Sequence, residues 1–384
     1  MKKTKKSTYF FAGISFIALA ILAGLLNYYK LLPPVMRNVG LVVLLFVQIL
    51  FATFYSKSGK ALAFIMALLL LIYTSALAYG SFVVYKTMSS LEKMTNKIEM
   101  ENKGDDKVNG GSVDTGDKPK VDPNVDNNAF NIYLSGIDTY GNLKNVSRSD
   151  VNLVVTVNRT TRKIKITTIP RDSYVRIADG GHDQYDKLTH AGIYGVGASM
   201  HTLENLFDTK IPYYARVNFT SVKDIVNALG GITVTNDQNF TAFNGKYFPK
   251  GELTLNGEDA LAFARERKSL NDGDFDRGRH HIKLIEAIIR KVSSPELLKN
   301  FSNLLDIAAR DVDTNMSTSL LVELANNEIL ASKGWDISQA DVKGTGSMGL
   351  PSYAMPGYKL YMFKLDPNSV SEISTSIKDI LEGK

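Results

Sequence analysis

Cysteine is absent from the chain. That excludes disulfide staples and Cys–His zinc clusters, and it fits an extracytoplasmic domain that manages without disulfides. Neither HExxH nor GxSxG occurs, so zinc hydrolysis and serine-hydrolase chemistry have no support. The glycine-rich run Gly192-Ile-Tyr-Gly-Val-Gly197 lacks the GxGxxG spacing and the lysine of nucleotide loops, and reads as the start of a helix. Acidic residues are missing altogether from the first 90 positions.

Those 90 positions do hold nine basic residues: Lys2, Lys3, Lys5, Lys6, Lys30, Arg37, Lys57, Lys60 and Lys86. Three apolar runs lie among them, Phe10–Leu26, Val39–Phe54 and Ala61–Val84. A bilayer-crossing helix needs about 20 apolar residues. The first and third runs reach that length. The second is shorter and interrupted by Gln48, and counts as a span only with Leu31, Leu32, Val35 and Met36 added. Residues 1–86 are therefore expected to be a membrane anchor of three transmembrane helices. The dense basic ends, Lys2–Lys6 and Lys57/Lys60, fall on the cytoplasmic side by the positive-inside tendency. Everything after Lys86 then lies outside a cell membrane crossed more than once. A cleaved signal peptide fits poorly, because two further apolar runs follow at once.

The net charge of +6 is uneven. The first 90 residues carry +9 and the remainder −3, so the basic balance is no footprint of nucleic-acid binding. Residues 87–128 are polar, with Asn109-Gly-Gly111, Pro119 and Pro123, and read as a flexible tether. Residues 129–384 have globular composition and enough length for one sizeable core. Strands are expected at Phe130–Ile137, Asp150–Val157, Ile164–Ile169, Tyr213–Phe219, Ile232–Thr235, Gly334–Val342 and Tyr358–Phe363. Helices are expected at Ser199–Phe207, Ser221–Leu229, from Asn256, and at His280–Val292, Leu297–Ala308, Leu320–Leu330 and Ser369–Leu381. This interleaving predicts an α/β domain, a mixed central sheet with helices on both faces.

Four clusters place Arg or Asp at strand ends or in loops, where α/β sheets gather ligands. They are Ser135-Gly-Ile-Asp138, Ser147-Arg-Ser-Asp150, Ile169-Pro-Arg-Asp172 and the segment Arg265–His281. Guanidinium forks match phosphate oxygens two at a time. Asp138 and Asp150 make a metal pair of the kind magnesium takes beside phosphates, or else two turn residues bonding backbone. Arg265 and Arg267 face different ways on a continuous helix, so gripping one ligand requires the helix to end near Arg265. Arg277, before the Ile282 stripe, sits where a helix N-terminus favours an anion. Asp274 takes a proton, holds an arginine or caps that helix.

In this order, behind this anchor, the motifs resemble the LytR-CpsA-Psr family of cell-envelope proteins. The carrying residues are Ser149-Asp150-Val-Asn-Leu153, Ile169-Pro-Arg-Asp172, Lys187-Leu-Thr-His190, Ala264-Arg-Glu-Arg267 and Gly273-Asp-Phe-Asp-Arg277. The three apolar runs further resemble the capsule-associated, CpsA/Wzg-like branch of streptococci. The resemblance implies an LCP-type domain with a greasy tunnel for a polyprenyl chain. It implies a phosphotransferase moving a glycan polymer, capsular polysaccharide above all, from undecaprenyl pyrophosphate to peptidoglycan in a Gram-positive envelope. Asp138 and Asp150 would hold magnesium, or manganese. Arg171, Lys187, Arg265, Arg267, Arg277 and His281 would bind the lipid pyrophosphate, and Asp172 or Asp274 would act as base. The family often has Arg-Gln where this chain has His280-His281, so His281 would replace the glutamine as donor and Arg279 the missing arginine. Other readings stay open: a lipid-carrier-binding regulator working with capsule-synthesis membrane proteins, and a polyprenyl-pyrophosphate phosphatase. Nucleic acid is not an expected partner.

Overall fold

Valine dominates β2 (Val151–Asn158), which is covered on both faces. It lies at the centre of the domain. β1 (Ala129–Ile137) and β3 (Lys163–Thr168) flank it antiparallel. In this computed structural model the described residues are 2–28, 34–57, most of 68–86, 129–137, 147–292, 311–317 and 334–384, with scattered positions between and no side-chain detail for a few of them. They divide into two compact units, Met1–Lys93 with Thr318–Leu330, and Met94–Ser317 with Ala331–Lys384.

In the first unit, α1 (Lys2–Tyr28), α2 (Pro34–Lys57) and α3 (Leu68–Lys86) carry the apolar runs. Among the described residues α3 alone is long and apolar enough to cross a membrane; the apolar stretches Gly13–Tyr28 and Arg37–Leu50 are shorter. Leu19, Leu22 and Leu77 form a buried cluster with Leu41, Leu44 and Tyr73 packed against it. Gln48, the interruption of the second run, is buried and donates to Ser15 Oγ at 2.6 Å. Tyr73 donates to the Leu44 carbonyl at 2.8 Å. Polar groups in this unit thus bond between helices.

The second unit holds a six-stranded mixed sheet, ordered β11–β6–β1–β2–β3–β12, with β6 at Tyr213–Asn218, β11 at Asp313–Thr314 and β12 at Asp336–Asp341. β6 pairs parallel to β1, and β12 parallel to β3. Several buried polar groups in the middle strands have partners, although Thr167 Oγ1 on β3 has none among the described residues. Tyr133 donates to Asn152 Oδ1 at 2.6 Å, Thr156 to Asn131 Oδ1 at 2.8 Å, and Asn158 to the Ile380 carbonyl at 2.8 Å.

One face, through Tyr133 and Val154, packs on α5 (Val196–Phe207) and the final helix α9 (Pro367–Leu381), with Leu203, Phe207, Ile373 and Ile377 in the core. The single turn α4 (Leu188–Ala191) leads into α5. The other face turns Leu134, Gly136 and Val217 toward α6 (Phe219–Ala228), α7 (Gly257–Arg265) and α8 (Asp274–Val292). Asn218 and Ser221 cap α6 reciprocally, and Asn256 caps α7 through the Asp259 N–H at 2.9 Å. A second core of Val226, Val234, Phe240, Phe248, Phe263 and Leu284 joins these helices to β7 (Ile232–Asn236) and the short strands Phe240–Thr241 (β8) and Tyr247–Phe248 (β9). β10 (Gly251–Leu255) pairs with β7.

α8 begins at Asp274, six residues before the expected start, since its first turns are polar and lack an apolar stripe. The hairpin of β4 (Tyr174–Ile177) and β5 (Gln184–Lys187), and the strand β13 (Gly344–Pro351) beside β14 (Lys359–Leu365), carry no strong pattern and were not expected. Most of the expected helices at Leu297–Ala308 and Leu320–Leu330, and nearly all of the 87–128 tether, lie outside the described residues; positions 307, 320, 321, 323 and 324 are helical.

Candidate active site

α7 ends at Arg265, and Glu266 turns to extended backbone (φ −66°, ψ 140°). Glu266 is a buried carboxylate that gathers the turn, accepting from the Ser269 N–H at 2.9 Å. Burial pushes its pKa up, but hydrogen bonds from Ser269, Arg267 and Lys268 outweigh that and hold it below the usual glutamate range. The turn parts the two arginines. Arg267 lines a polar cavity; Arg265 lines an adjoining apolar one, its guanidinium 4.3 Å from the Phe219 ring centre and 4.9 Å from that of Phe243.

The polar cavity, about 360 Å³, is walled by Asp150, Asn152, Arg171, Asp172, Arg267, Arg277, His281, Asp341, Tyr361 and Phe363, among others. Arg171 donates to Asp150 Oδ1 at 2.7 Å, with Asp172 3.8 Å from its Nε. Arg277 stands in the first turn of α8, where free backbone N–H groups and the helix dipole favour an anion. The apolar cavity, about 400 Å³, lies between the sheet and the helices, lined by Leu134, Val217, Val222, Ile225, Leu284, Ile285, Ile288 and Ile289. Asp150, Val151, Arg171, Arg277 and His281 line both. A cavity lined by arginines and aspartates thus opens directly onto a greasy one, an arrangement that suits an amphiphile with a charged head.

His280 and His281 serve the end of α7. A helix leaves its last carbonyls without intrahelical partners. His280 Nδ1 lies 2.9 Å from the Phe263 carbonyl and His281 Nε2 3.0 Å from that of Ala264. Carbonyls only accept, so these nitrogens carry the protons. Burial is the main cause that pushes the two pKa values down, to about 4 for His280 and about 3 for His281. Both rings are therefore neutral near pH 7, and the one N–H of His281 is held by Ala264. The expected role of His281 as a pyrophosphate donor is corrected to a capping role on the cavity wall. Arg279 does not replace an arginine of the cavity either. It bonds Asp276 and, at 2.9 Å, Asp272.

Lys187 lines neither cavity; it bonds Asp172 Oδ1 at 2.7 Å from behind. Asp274 opens α8, its side chain outside the described residues, and Asp138 lies outside them entirely. Among the described residues no group of three or more His, Cys, Asp or Glu gathers as for a metal ion. Asp150 borders both cavities, and one carboxylate beside phosphate oxygens and water is a donor set that magnesium accepts. Asp341, Tyr361 and Phe363 were missed as site residues. Asp341 ends a strand, the same signal that flagged Asp150, whereas Tyr361 and Phe363 read as plain strand residues.

Residues 81–378 match the model of the LytR_cpsA_psr family. The polyisoprenyl-teichoic acid–peptidoglycan teichoic acid transferase TagU of Bacillus licheniformis is 31% identical over 326 residues, covering 85% of this chain and 97% of that protein. Its namesake from Enterococcus faecalis is 30% identical over 296 residues, 76% and 90% of the two chains. The crystal structure of B. subtilis TagV superposes with a TM-score of 0.56 at 28% identity over 67% of this chain and 99% of that one. The structure of TagT bound to LIIa-WTA gives 0.55 at 30% identity over 71% and 97%. With the sheet, the paired cavities and the ordered motifs all in place, the chain belongs to the LytR_cpsA_psr family.

Proposed function

We propose that this chain is a phosphotransferase that moves a cell-wall glycopolymer from a polyprenyl-pyrophosphate carrier to peptidoglycan. The observation that carries the reading is the shared wall of Asp150, Arg171, Arg277 and His281 between a cavity lined by three arginines and three aspartates and an apolar one. The pyrophosphate sits among Arg171, Arg267 and Arg277, with Arg265 at the lipid side. The prenyl chain enters the cavity lined by Ile285, Ile288 and Ile289. An acceptor hydroxyl on peptidoglycan attacks the phosphorus nearer the glycan. The bridging P–O bond breaks, polyprenyl phosphate leaves with the electron pair, and the hydroxyl proton passes to Asp172 or Asp274. The product is a phosphodiester between acceptor and glycan. Fixed arginines stabilise charge that spreads over phosphate oxygens as the bond breaks.

Asp150, with Asp138, holds magnesium or manganese in this reading; when bound, the ion neutralises phosphate charge. Three helices anchor the domain, a tether follows, and the domain works outside the cell membrane. The bonds Gln48–Ser15 and Tyr73–Leu44, which close polar groups inside the helix cluster, support that anchor. Teichoic acid in the relatives' names and the capsule-type resemblance leave one polymer class, a lipid-linked wall or capsular glycan. The test is purified full-length chain in detergent with a lipid-pyrophosphate glycan and peptidoglycan. Transfer is expected from the native chain and is lost in Arg267→Ala and Asp150→Ala. A native chain without transfer, or variants with undiminished transfer, overturns the proposal.

A further inference from the structure

The polar cavity has one wall that phosphate does not explain. Along β14, Tyr361 and Phe363 point to one side, as alternate residues of a strand do. Both line the cavity. Phe363 is buried (5% exposed), whereas Tyr361 is 42% exposed. Across the hairpin, β13 offers Gly344 and Gly346, which pair with Leu365 and Phe363. A Cβ on Gly346 would meet Tyr361 Cε2 and Oη at 2.8 Å, and one on Gly344 would clash with the Lys364 carbonyl oxygen and meet Phe363 Cε1 at 2.8 Å. Each ring leans diagonally over a glycine on the partner strand. Neither glycine has a positive φ, so smallness and not backbone freedom is what the site uses. The result is an aromatic shelf with one end fixed in the core and the other open. Asp341, at the end of β12, lines the same cavity. A carboxylate repels phosphate oxygens, but it accepts hydrogen bonds from hydroxyl groups.

We propose that Tyr361, over Gly346 and next to Phe363, together with Asp341, is a subsite for a pyranose ring, the sugar joined directly to the pyrophosphate. The C–H face of a pyranose is apolar and slightly positive, which suits the negative face of an aromatic ring. Its hydroxyl rim needs acceptors, which Asp341 supplies. The cavity is continuous from Arg267 and Arg277 to Tyr361, so headgroup and first sugar fit one ligand. The inference rests on the lipid-pyrophosphate reading and adds recognition of the sugar to it.

The experiment compares two probes on the full-length chain in detergent: bare polyprenyl pyrophosphate and the same lipid bearing one N-acetylhexosamine. The quantity read is the ratio of their Kd values. The native chain is expected to favour the glycosylated lipid by about tenfold. Tyr361→Ala and Asp341→Ala lower the ratio toward one, and Tyr361→Phe keeps it. Gly346→Ala, whose Cβ meets the far end of the Tyr361 ring, lowers it as well. A native ratio near one, or a ratio that survives Tyr361→Ala, overturns the subsite and leaves lipid binding standing. Failure of both lipids to bind overturns the carrier reading, and the subsite falls with it.

Discussion

At the scale of single residues, the site depends on the shape of arginine and the neutrality of histidine. Arg267 and Arg277 present forks to one cavity, and a lysine offers only a point charge there. Arg267→Lys and Arg277→Lys are expected to lower transfer by about tenfold or more, measured as kcat/KM with lipid-linked donor. Near-native values would mean that charge alone suffices. The histidines make a different prediction. Their folded pKa values, about 4 and about 3, lie below the ordinary 6.5. Below pH 6.5 the unfolded chain therefore binds more protons, and stability rises with pH. Their contribution is fully present above that value and is lost as pH falls toward 4 and 3. Each histidine costs at most about 1.4 kcal/mol per pH unit in that window. Unfolding of the full chain followed from about pH 7.5 to about pH 5 should show this slope. His281→Gln keeps a donor for Ala264, cannot titrate, and should flatten it. An unchanged slope in that variant would remove the capping account.

At the scale of elements, the loop that carries Arg171 and Asp172 is pinned by a buried network. Asp186, on β5, accepts from Ser352 at 3.0 Å and from the Ala354 N–H at 2.7 Å, and lies 2.9 Å from His190 Nδ1. Burial pushes its pKa up, yet His190, Ala354 and Lys187 hold it below the usual aspartate range. The Leu188 and Thr189 N–H groups in turn bond the Ser173 and Arg171 carbonyls. Asp186→Ala leaves the Ser352 hydroxyl, the Ala354 N–H and His190 Nδ1 without their acceptor, and should cost about 3 kcal/mol in denaturant unfolding. Amide exchange at Leu188 and Thr189 should rise with it; protection that stays native would show that the loop stands without the network. The motif Lys187-Leu-Thr-His190 marks this loop in the sequence, and in the structure Lys187 pairs with Asp172. Runs rich in Val, Ile or Tyr that end at turns mark β1, β2 and β3, helix spacing marks α5, and the Asn256 cap with its acidic first turn marks α7. Sequence pattern does not show β4, β5, β8, β9, β10, β11 and β13, which are short or glycine-rich, or the polar first turns of α8. Arg171 beside Asp172, Arg267 beside Glu266 and Arg277 beside Asp276 stand out in the sequence as arginines next to acids, and the structure places all three on one cavity. Tyr361 was missed, since an aromatic in a strand is ordinary until its partner glycine is known from the fold.

At the scale of the whole domain, the two cavities make separable demands. On the proposed function the polar one takes the charged head and the apolar one the hydrocarbon, with Asp150, Arg171, Arg277 and His281 between them. Filling the apolar cavity should therefore weaken long-chain lipids without touching the arginines. Val222 and Ile285 face it from α6 and α8. Val222→Trp or Ile285→Trp adds bulk to a space of about 400 Å³, so overpacking of the surrounding core should be slight. Burial of a CH₂ group is worth about 0.8 kcal/mol, so each prenyl unit shut out of the cavity costs affinity steeply. The expected result is a large loss of binding for a carrier with a long prenyl chain and a small loss for a short-chain pyrophosphate, read by titration of the full-length chain with both. A tryptophan variant that loses both equally would place the fault in the headgroup site. One that keeps long-chain affinity would show that the hydrocarbon runs elsewhere, and that the cavity between sheet and helices is packing and not a lipid tunnel.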